Sequence, residues 1–267
     1  MIPVLSIAGS DPSGGAGLQA DLKTFAAFGC YGMAAPTALT VQNTLGVTAI
    51  HRIAPEIVVA QIAAVLADIA PAAIKIGMLA APEIADAVFA ALAGYAGPIV
   101  LDPVLAATRG PGAAEGLAAA LRRALPRCAL VTPNLAEAAS LTGTGLAARP
   151  DEMAAQAQSL LATGAGAALV KGGHLSGAPL DVLADGDGVA NFPGRRIATP
   201  NDHGTGCALS SAIAARLAQG APLRAAVAEA KAWLESALAA GAKLRLGQSA
   251  GPPDHGWAGL PGRRPTD

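Results

Sequence analysis

Short apolar runs alternate with longer segments of helical spacing along most of this 267-residue chain, and this alternation constrains the fold more than any other feature. The runs are predicted to be buried strands, and they span residues 4–8, 73–76, 98–101, 129–131 and 167–170. Strands that are apolar along their whole length are typical of a parallel sheet covered by helices on both faces. The sequence therefore predicts an α/β fold with three layers, α/β/α, around a central, mostly parallel sheet.

The composition is that of a globular protein rather than of a disordered chain. Hydrophobic residues make up 52% of the chain and charged residues 14%, which is enough apolar material for one large core. We expect one domain over residues 1–267, with an irregular tail from about residue 247. The formal net charge of −1 does not favour nucleic acid or an anionic membrane, and no signal peptide or membrane-spanning run is recognised. A cytoplasmic protein without nucleic-acid or membrane partners is therefore expected.

Glycines and polar side chains follow the predicted strands at several places, namely residues 9–17, 77–78, 102–103, 132–137 and 171–174. In open parallel sheets, ligands bind beyond the carboxyl ends of the strands. These clusters therefore predict one ligand site along a single edge of the sheet. The sequence contains no G-x-x-x-x-G-K-[ST] segment, so the site is not that of a P-loop kinase.

The segment His-Gly-Thr-Gly-Cys at 203–207 opens a predicted helix. Free N–H groups at a helix start bind anions, and small residues let a ligand approach the backbone closely. An anion site for a transferring phosphoryl group and a simple cap by Gly204 or Thr205 fit this segment equally well. Cys207 falls in the first helical turn, where the positive helix end is expected to lower its pKa and make it a candidate base. A small buried residue is the alternative interpretation of this cysteine.

Two further segments allow both a functional and a structural interpretation. Asn134 and Glu137 share a helix face, so Glu137 is either a ligand of Mg²⁺ through water or half of a capping box. Lys171 follows a strand, where it either reaches phosphate groups or lies in a solvated turn. Residues 15–20 also fit the pattern G-x-G-x-x-A, but no acidic residue ends a strand about 20 residues further on, so a dehydrogenase is only an alternative.

Taken together, these segments resemble the hydroxymethylpyrimidine/phosphomethylpyrimidine kinases of thiamine biosynthesis, in the ribokinase superfamily. The resemblance is carried by residues 7–17, 19–24, 42–44, 75–79, 101–104, 132–138, 171–174, 203–207 and 229–233. It implies a ribokinase-like fold, the cofactors ATP and Mg²⁺, and a homodimer. It also implies two reactions, in which 4-amino-5-hydroxymethyl-2-methylpyrimidine and then its monophosphate are phosphorylated.

The resemblance assigns roles to individual residues. The residues implied to line the pyrimidine pocket are Gly9, Asp21, Gln42, Met78 and Val104. Those implied to serve ATP are Asp102, Asn134, Lys171, Thr205 and Lys231, while Glu137 holds Mg²⁺ through water. Gly204, Thr205 and Gly206 form the implied anion hole, Lys171 is implied to be catalytic as well, and Cys207 is the implied base.

One loop departs from the family pattern, and two other functions stay open. After Val104 the chain continues Leu-Ala-Ala-Thr-Arg-Gly-Pro, in which Arg109 is either a phosphate contact or a solvated residue. The nearest alternative function is a pyridoxal kinase of vitamin B6 salvage, because both substrates are six-membered heteroaromatic rings with a hydroxymethyl arm. A catalytically silent nucleotide-binding protein is the alternative from a different functional class.

Overall fold

The computed structural model describes residues 1–105, 114–173, 175 and 177–258. Its strands are β1 (Ile2–Ser10), β2 (Cys30–Asn43), β3 (Gly46–Arg52), β4 (Ala73–Ile76), β5 (Ile99–Leu101), β6 (Leu130–Val131), β7 (Ala168–Lys171), β8 (Leu180–Asp185) and β9 (Gly188–Pro193). Its α-helices are α1 (Gly17–Ala27), α2 (Pro55–Asp68), α3 (Pro82–Ala91), α4 (Leu117–Ala124), α5 (Leu135–Thr142), α6 (Pro150–Ala162), α7 (Thr205–Ala218) and α8 (Leu223–Gly241).

The strands form one sheet in the order β3-β2-β1-β4-β5-β6-β7-β8-β9. The six strands from β2 across to β7 pair in parallel, whereas β3, β8 and β9 join the two edges antiparallel. The prediction of a mostly parallel sheet is confirmed, and β8 and β9 form the hairpin expected between residues 179 and 199. Strand β3 was not predicted, because its side chains are mostly exposed and give no continuous apolar run.

Helices cover both faces of the sheet, as the three-layer prediction requires. Successive strand residues point to opposite faces, so Leu5 and Ile7 pack with residues of α2 to α6, while Val4 packs with residues of α1, α7 and α8. The helix predicted at 113–125 begins at Leu117, and a 3-10 helix follows it at Leu125–Arg127. No helix in the described part of the chain is both long and apolar enough to span a bilayer.

Candidate active site

The glycine-rich segment before α1 packs backbone against backbone on the start of α7. Gly204 has a φ of 78°, and a Cβ at this position would overlap the carbonyl oxygen of Gly15. Gly17 has a φ of 55°, and a Cβ there would overlap the carbonyl oxygen of Gly9. Positive φ and close backbone approach both exclude a side chain at these two positions. Gly204 therefore lets the start of α7 meet the segment 9–17 at the carboxyl edge of the sheet, and Gly17 lets that segment fold back on Gly9.

A lysine faces the first turn of α7. Lys171 Nζ donates to Asp102 Oδ1 over 2.7 Å, and a Cβ on Gly206 would lie 3.1 Å from Nζ and 3.6 Å from Asp102 Oδ2. Burial acts to lower the pKa of Lys171, but the nearby Asp102 and Glu137 carboxylates outweigh it and raise that pKa. The lysine is thus a cation at neutral pH, and it stands beside the N–H groups that a helix start leaves without intrahelical partners.

The structure shows the capping box at the start of α5. The N–H of Asn134 donates to Glu137 Oε2 over 2.8 Å, and the N–H of Glu137 donates to Asn134 Oδ1 over 3.0 Å. Burial raises the pKa of Glu137 to about 7, Lys171 opposes this shift, and Asp102 adds to it. The two hydrogen bonds show that Asn134 and Glu137 form the capping box, which was one of the two interpretations of this pair. The same carboxyl group also belongs to the charged cluster of Asp102 and Lys171, so its metal role remains a prediction.

Cys207 lies in the first turn of α7, as expected, but its environment differs from the expectation. Burial raises the pKa of the thiol to about 11, Lys75 lowers it, and Asp21 and Asp102 raise it further. The N–H of Gly17 donates to the sulfur and favours the thiolate. The prediction of a lowered pKa is wrong, because desolvation outweighs the positive helix end. The thiol of Cys207 is protonated at neutral pH.

Four of the residues predicted for the substrate pocket, Gly9, Gln42, Met78 and Val104, lie at this same edge of the sheet. Met78 packs against Gly9 so closely that a Cβ on this glycine would overlap the methionine methyl group. Gln42 Nε2 lies 3.1 Å from His203 Nε2, which in turn lies 3.0 Å from Asp11 Oδ2. Gln42 is thereby tied to the segment that opens α7. Val104 follows β5 and is half-buried.

The structure does not place Asp21 at the surface of the pocket. This residue is fully buried, and its carboxylate accepts hydrogen bonds from Ser6 Oγ at 2.6 Å, Ser211 Oγ at 2.7 Å and Lys75 Nζ at 2.8 and 2.9 Å. With both oxygens occupied by protein donors, the carboxylate has no exposed face to offer a substrate. We therefore correct the prediction for Asp21 from pocket lining to support beneath the pocket.

The ammonium group of Lys231 already has a partner. It donates to Asp181, whose other carboxylate oxygen accepts the N–H of Gly172 over 3.0 Å. Lys231 also lines a cavity of about 250 Å³ together with residues of β9 and α8, including Phe192 and Glu235. An ammonium group that is already paired with Asp181 gives no added support to a role towards ATP. The predicted role of Lys231 therefore stays a prediction. Arg109 lies outside the described residues.

Three residues that the sequence did not single out, Lys75, Asp11 and His203, contact residues of the candidate site. Lys75 is the only charged residue in the run Ala-Ile-Lys-Ile of β4, and a lone charge in a buried strand is a usable signal. His203 opens the segment 203–207, but the sequence predicted roles only for Gly204, Thr205, Gly206 and Cys207. Its contacts with Asp11 and Gln42 join residues far apart in the sequence, and local spacing cannot reveal such contacts.

Comparison with known proteins identifies the family. The family model for phosphomethylpyrimidine kinase matches residues 11–254. The chain belongs to the phosphomethylpyrimidine kinase family. A hydroxymethylpyrimidine/phosphomethylpyrimidine kinase of Rhizobium meliloti is 50% identical over 254 residues, which cover 94% of this chain and 96% of that protein. The resemblance found in the sequence is confirmed, and the dehydrogenase alternative gains no support.

Solved structures agree with this family and with the fold. A pyridoxal kinase from Staphylococcus aureus, in complex with AMP-PCP and pyridoxal, matches with a TM-score of 0.88 at 34% identity, covering 97% of this chain and 95% of that one. A phosphomethylpyrimidine kinase from Clostridium difficile matches with a TM-score of 0.79 at 39% identity, covering 89% and 99%. The ribokinase-like α/β fold of this family member is thereby confirmed.

The residues of the site fit ATP and Mg²⁺. Gly206 leaves open, beside Lys171, the space that a Cβ would fill, and the start of α7 supplies N–H donors for phosphate oxygens. In the described part of the chain, no three His, Cys, Asp or Glu side chains cluster so as to hold a metal ion. The carboxyl groups of Asp102 and Glu137 are hard oxygen donors, which suit a Mg²⁺ ion that keeps several of its waters.

Proposed function

We propose that this protein is a kinase that transfers a phosphoryl group from ATP to 4-amino-5-hydroxymethyl-2-methylpyrimidine and then phosphorylates the monophosphate to the diphosphate, in thiamine biosynthesis. One observation carries the proposal: the glycine start of α7 faces Lys171 on one side and the segment 9–17 on the other. A phosphoryl group at this place meets both helix N–H donors and a fixed cation. The substrate class is supported by the names of relatives, such as the hydroxymethylpyrimidine/phosphomethylpyrimidine kinase of Rhizobium meliloti.

The phosphate side of the site stabilises the charge on the group in transfer. Preorganised donors that surround a transferring phosphoryl group provide most of the catalysis in such reactions. Thr205 and Gly206 would donate backbone N–H groups, and Lys171 would bind the phosphates that it faces. Asp102 orients Lys171 and keeps it charged. Glu137 would hold Mg²⁺ through water, and the ion would supply further positive charge along the phosphates.

The pyrimidine side needs apolar faces for a flat ring and a few polar groups for its edge. Gly9 leaves the space that the methyl group of Met78 fills, and Met78 would cover the faces of the ring together with Val104. The amide of Gln42 offers one donor and one acceptor, which matches an aminopyrimidine edge. His203 holds this amide towards the start of α7.

Cys207 is the proposed acceptor of the hydroxymethyl proton. Its raised pKa makes the thiolate scarce at neutral pH but strongly basic. An alcohol must lose its proton, whereas a phosphate monoester is mostly dianionic, with a second pKa of about 6. The first phosphorylation therefore depends on Cys207, and the second does not.

The remaining parts of the proposal concern the whole protein. We propose one catalytic domain that forms a homodimer in the cytoplasm. Light scattering behind a size-exclusion column tests the dimer, since a monomer of 26.1 kDa would contradict it.

A second candidate function rests on the likeness to pyridoxal kinase of Staphylococcus aureus. The experiment that separates the two measures ATP consumption with purified protein and Mg²⁺, offering the hydroxymethylpyrimidine, its monophosphate and pyridoxal in parallel. Turnover of both pyrimidines, with pyridoxal slow or inert, is the expected result. Turnover of pyridoxal alone would move the function to vitamin B6 salvage. No turnover of any substrate would favour a silent nucleotide-binding protein.

A further inference from the structure

A lysine is buried in the middle of the molecule. Lys75 lies in β4, is fully inaccessible to solvent, and places Nζ 2.8 and 2.9 Å from the two carboxylate oxygens of Asp21 on α1. A buried charge is costly unless a partner compensates it, and replacing such a pair with apolar side chains is often neutral or even stabilising. Core packing alone therefore does not explain why a lysine occupies this strand.

The position of the pair points towards the active site. Ser211 Oγ donates to Asp21 Oδ1 over 2.7 Å, and Ser211 lies four residues after Cys207, on the same face of α7. A Cβ on Gly77 would lie 2.8 Å from Lys75 Nζ, so the lysine side chain extends towards the carboxyl end of β4. The ion pair thus lies beneath the face of α7 that carries Cys207.

We propose that Lys75 is a positioning residue for the first phosphorylation, whose buried charge, held by Asp21, stabilises the thiolate of Cys207 and so supports the proton acceptor. The effect of Lys75 on the reaction rests on the function proposed above. The electrostatic coupling between Lys75 and Cys207 does not rest on it. The other charged groups that act with Cys207 are Asp21 on α1, Asp102 after β5 and Lys171 at the end of β7. Lys75 lowers the pKa of Cys207 more than Asp21 raises it, so removing both charges should leave less thiolate.

The test measures thiolate directly. In the full-length chain, iodoacetamide alkylation of the peptide containing Cys207 is followed by mass spectrometry between pH 7 and 10. This readout separates Cys207, which is half-buried, from Cys30 and Cys128, which are buried. The variant Lys75→Met with Asp21→Asn removes both charges at similar volume. We expect alkylation at pH 8 to slow about tenfold, the equivalent of about one pKa unit.

Ser211→Ala is the matched control, because it removes a hydrogen bond to Asp21 and keeps both charges. Its alkylation profile should stay within about twofold of wild type. Circular dichroism shows whether the double variant folds. If it does not, Lys75→Met alone replaces it, because Asp21 can then bind a proton and both charges are again removed. An unchanged profile in the charge-free variant, or equal slowing in Ser211→Ala, would overturn the coupling.

Kinetics then separate this inference from the proposed function. In the charge-free variant, the first phosphorylation should slow by about three- to tenfold, because the more basic thiolate offsets part of the loss in thiolate fraction, while phosphorylation of the monophosphate is retained. Slower alkylation without a slower first step would refute the role of Lys75 in the reaction. If the wild-type protein phosphorylates neither pyrimidine, the proposed function fails, yet the alkylation profiles still decide whether Lys75 stabilises the thiolate.

Discussion

Gly204 offers a direct test of the start of α7, because the same helix ends in a comparable glycine. Gly204 has a φ of 78° and Gly220 a φ of 83°, so alanine is strained at both positions. This strain destabilises the folded state by about 1–2 kcal/mol. A Cβ at Gly220 meets nothing within 4 Å, whereas a Cβ at Gly204 overlaps the carbonyl oxygen of Gly15. The overlap adds about 1–3 kcal/mol and must displace either α7 or the segment 9–17.

The expected results differ in activity more than in stability. A displacement of about 1 Å in a site of this kind lowers the rate about 10²-fold, so Gly204→Ala should lose about that much kcat, while Gly220→Ala should keep kcat within about twofold. Thermal unfolding measures the stability of both variants, and a coupled assay of ADP release measures kcat. Equal kcat in the two variants would refute the assignment of the phosphoryl site to the start of α7.

Three further predictions concern Cys207, Lys171 and His255. Cys207→Ala should lower kcat for the hydroxymethylpyrimidine by about 10²-fold or more and change kcat for its monophosphate little, so equal losses in separate assays would contradict the base role. Lys171→Met should lower kcat for both substrates by about 10²–10³-fold, and steady-state kinetics with unchanged kcat would exclude it as the phosphate-facing cation. Burial lowers the pKa of His255 from 6.5 to about 4, so the unfolded chain binds the extra proton and stability falls by about 3 kcal/mol as the pH drops from 6.5 to 4. Urea unfolding at several pH values should show this loss in wild type and a smaller one in His255→Phe, and identical pH dependence in both would contradict it.

The sequence was most informative where one local pattern determines the structure. Largely apolar runs predicted the parallel strands, because a strand buried on both faces holds a polar side chain only where a buried partner compensates it, as Asp21 does for Lys75 in β4. The glycine segments predicted close backbone approach, and the overlaps at Gly204 and Gly17 show why a larger residue does not fit. Strand β3 was not predicted, because most of its side chains are exposed. Its position depends on pairing with β2 rather than on its own composition.

The sequence was least informative where the outcome depends on residues that meet only in the folded chain. The family resemblance implied that Asp21 lines the pocket, whereas its buried carboxylate lies between Lys75, Ser6 and Ser211. The pKa of Cys207 follows from burial, which local position on a helix does not reveal. Electrostatic environments are summed over several elements, and therefore no single motif predicts them.

The two successive phosphorylations are tested most directly by identifying the product made from ATP labelled with ¹⁸O in the γ-phosphoryl group. Purified protein, Mg²⁺ and 4-amino-5-hydroxymethyl-2-methylpyrimidine are incubated with the labelled ATP, and the products are resolved by mass spectrometry. We expect a pyrimidine diphosphate that carries two labelled phosphoryl groups, formed after a singly labelled monophosphate. Release of ADP without any labelled pyrimidine, or labelling of pyridoxal alone in a parallel reaction, would contradict it.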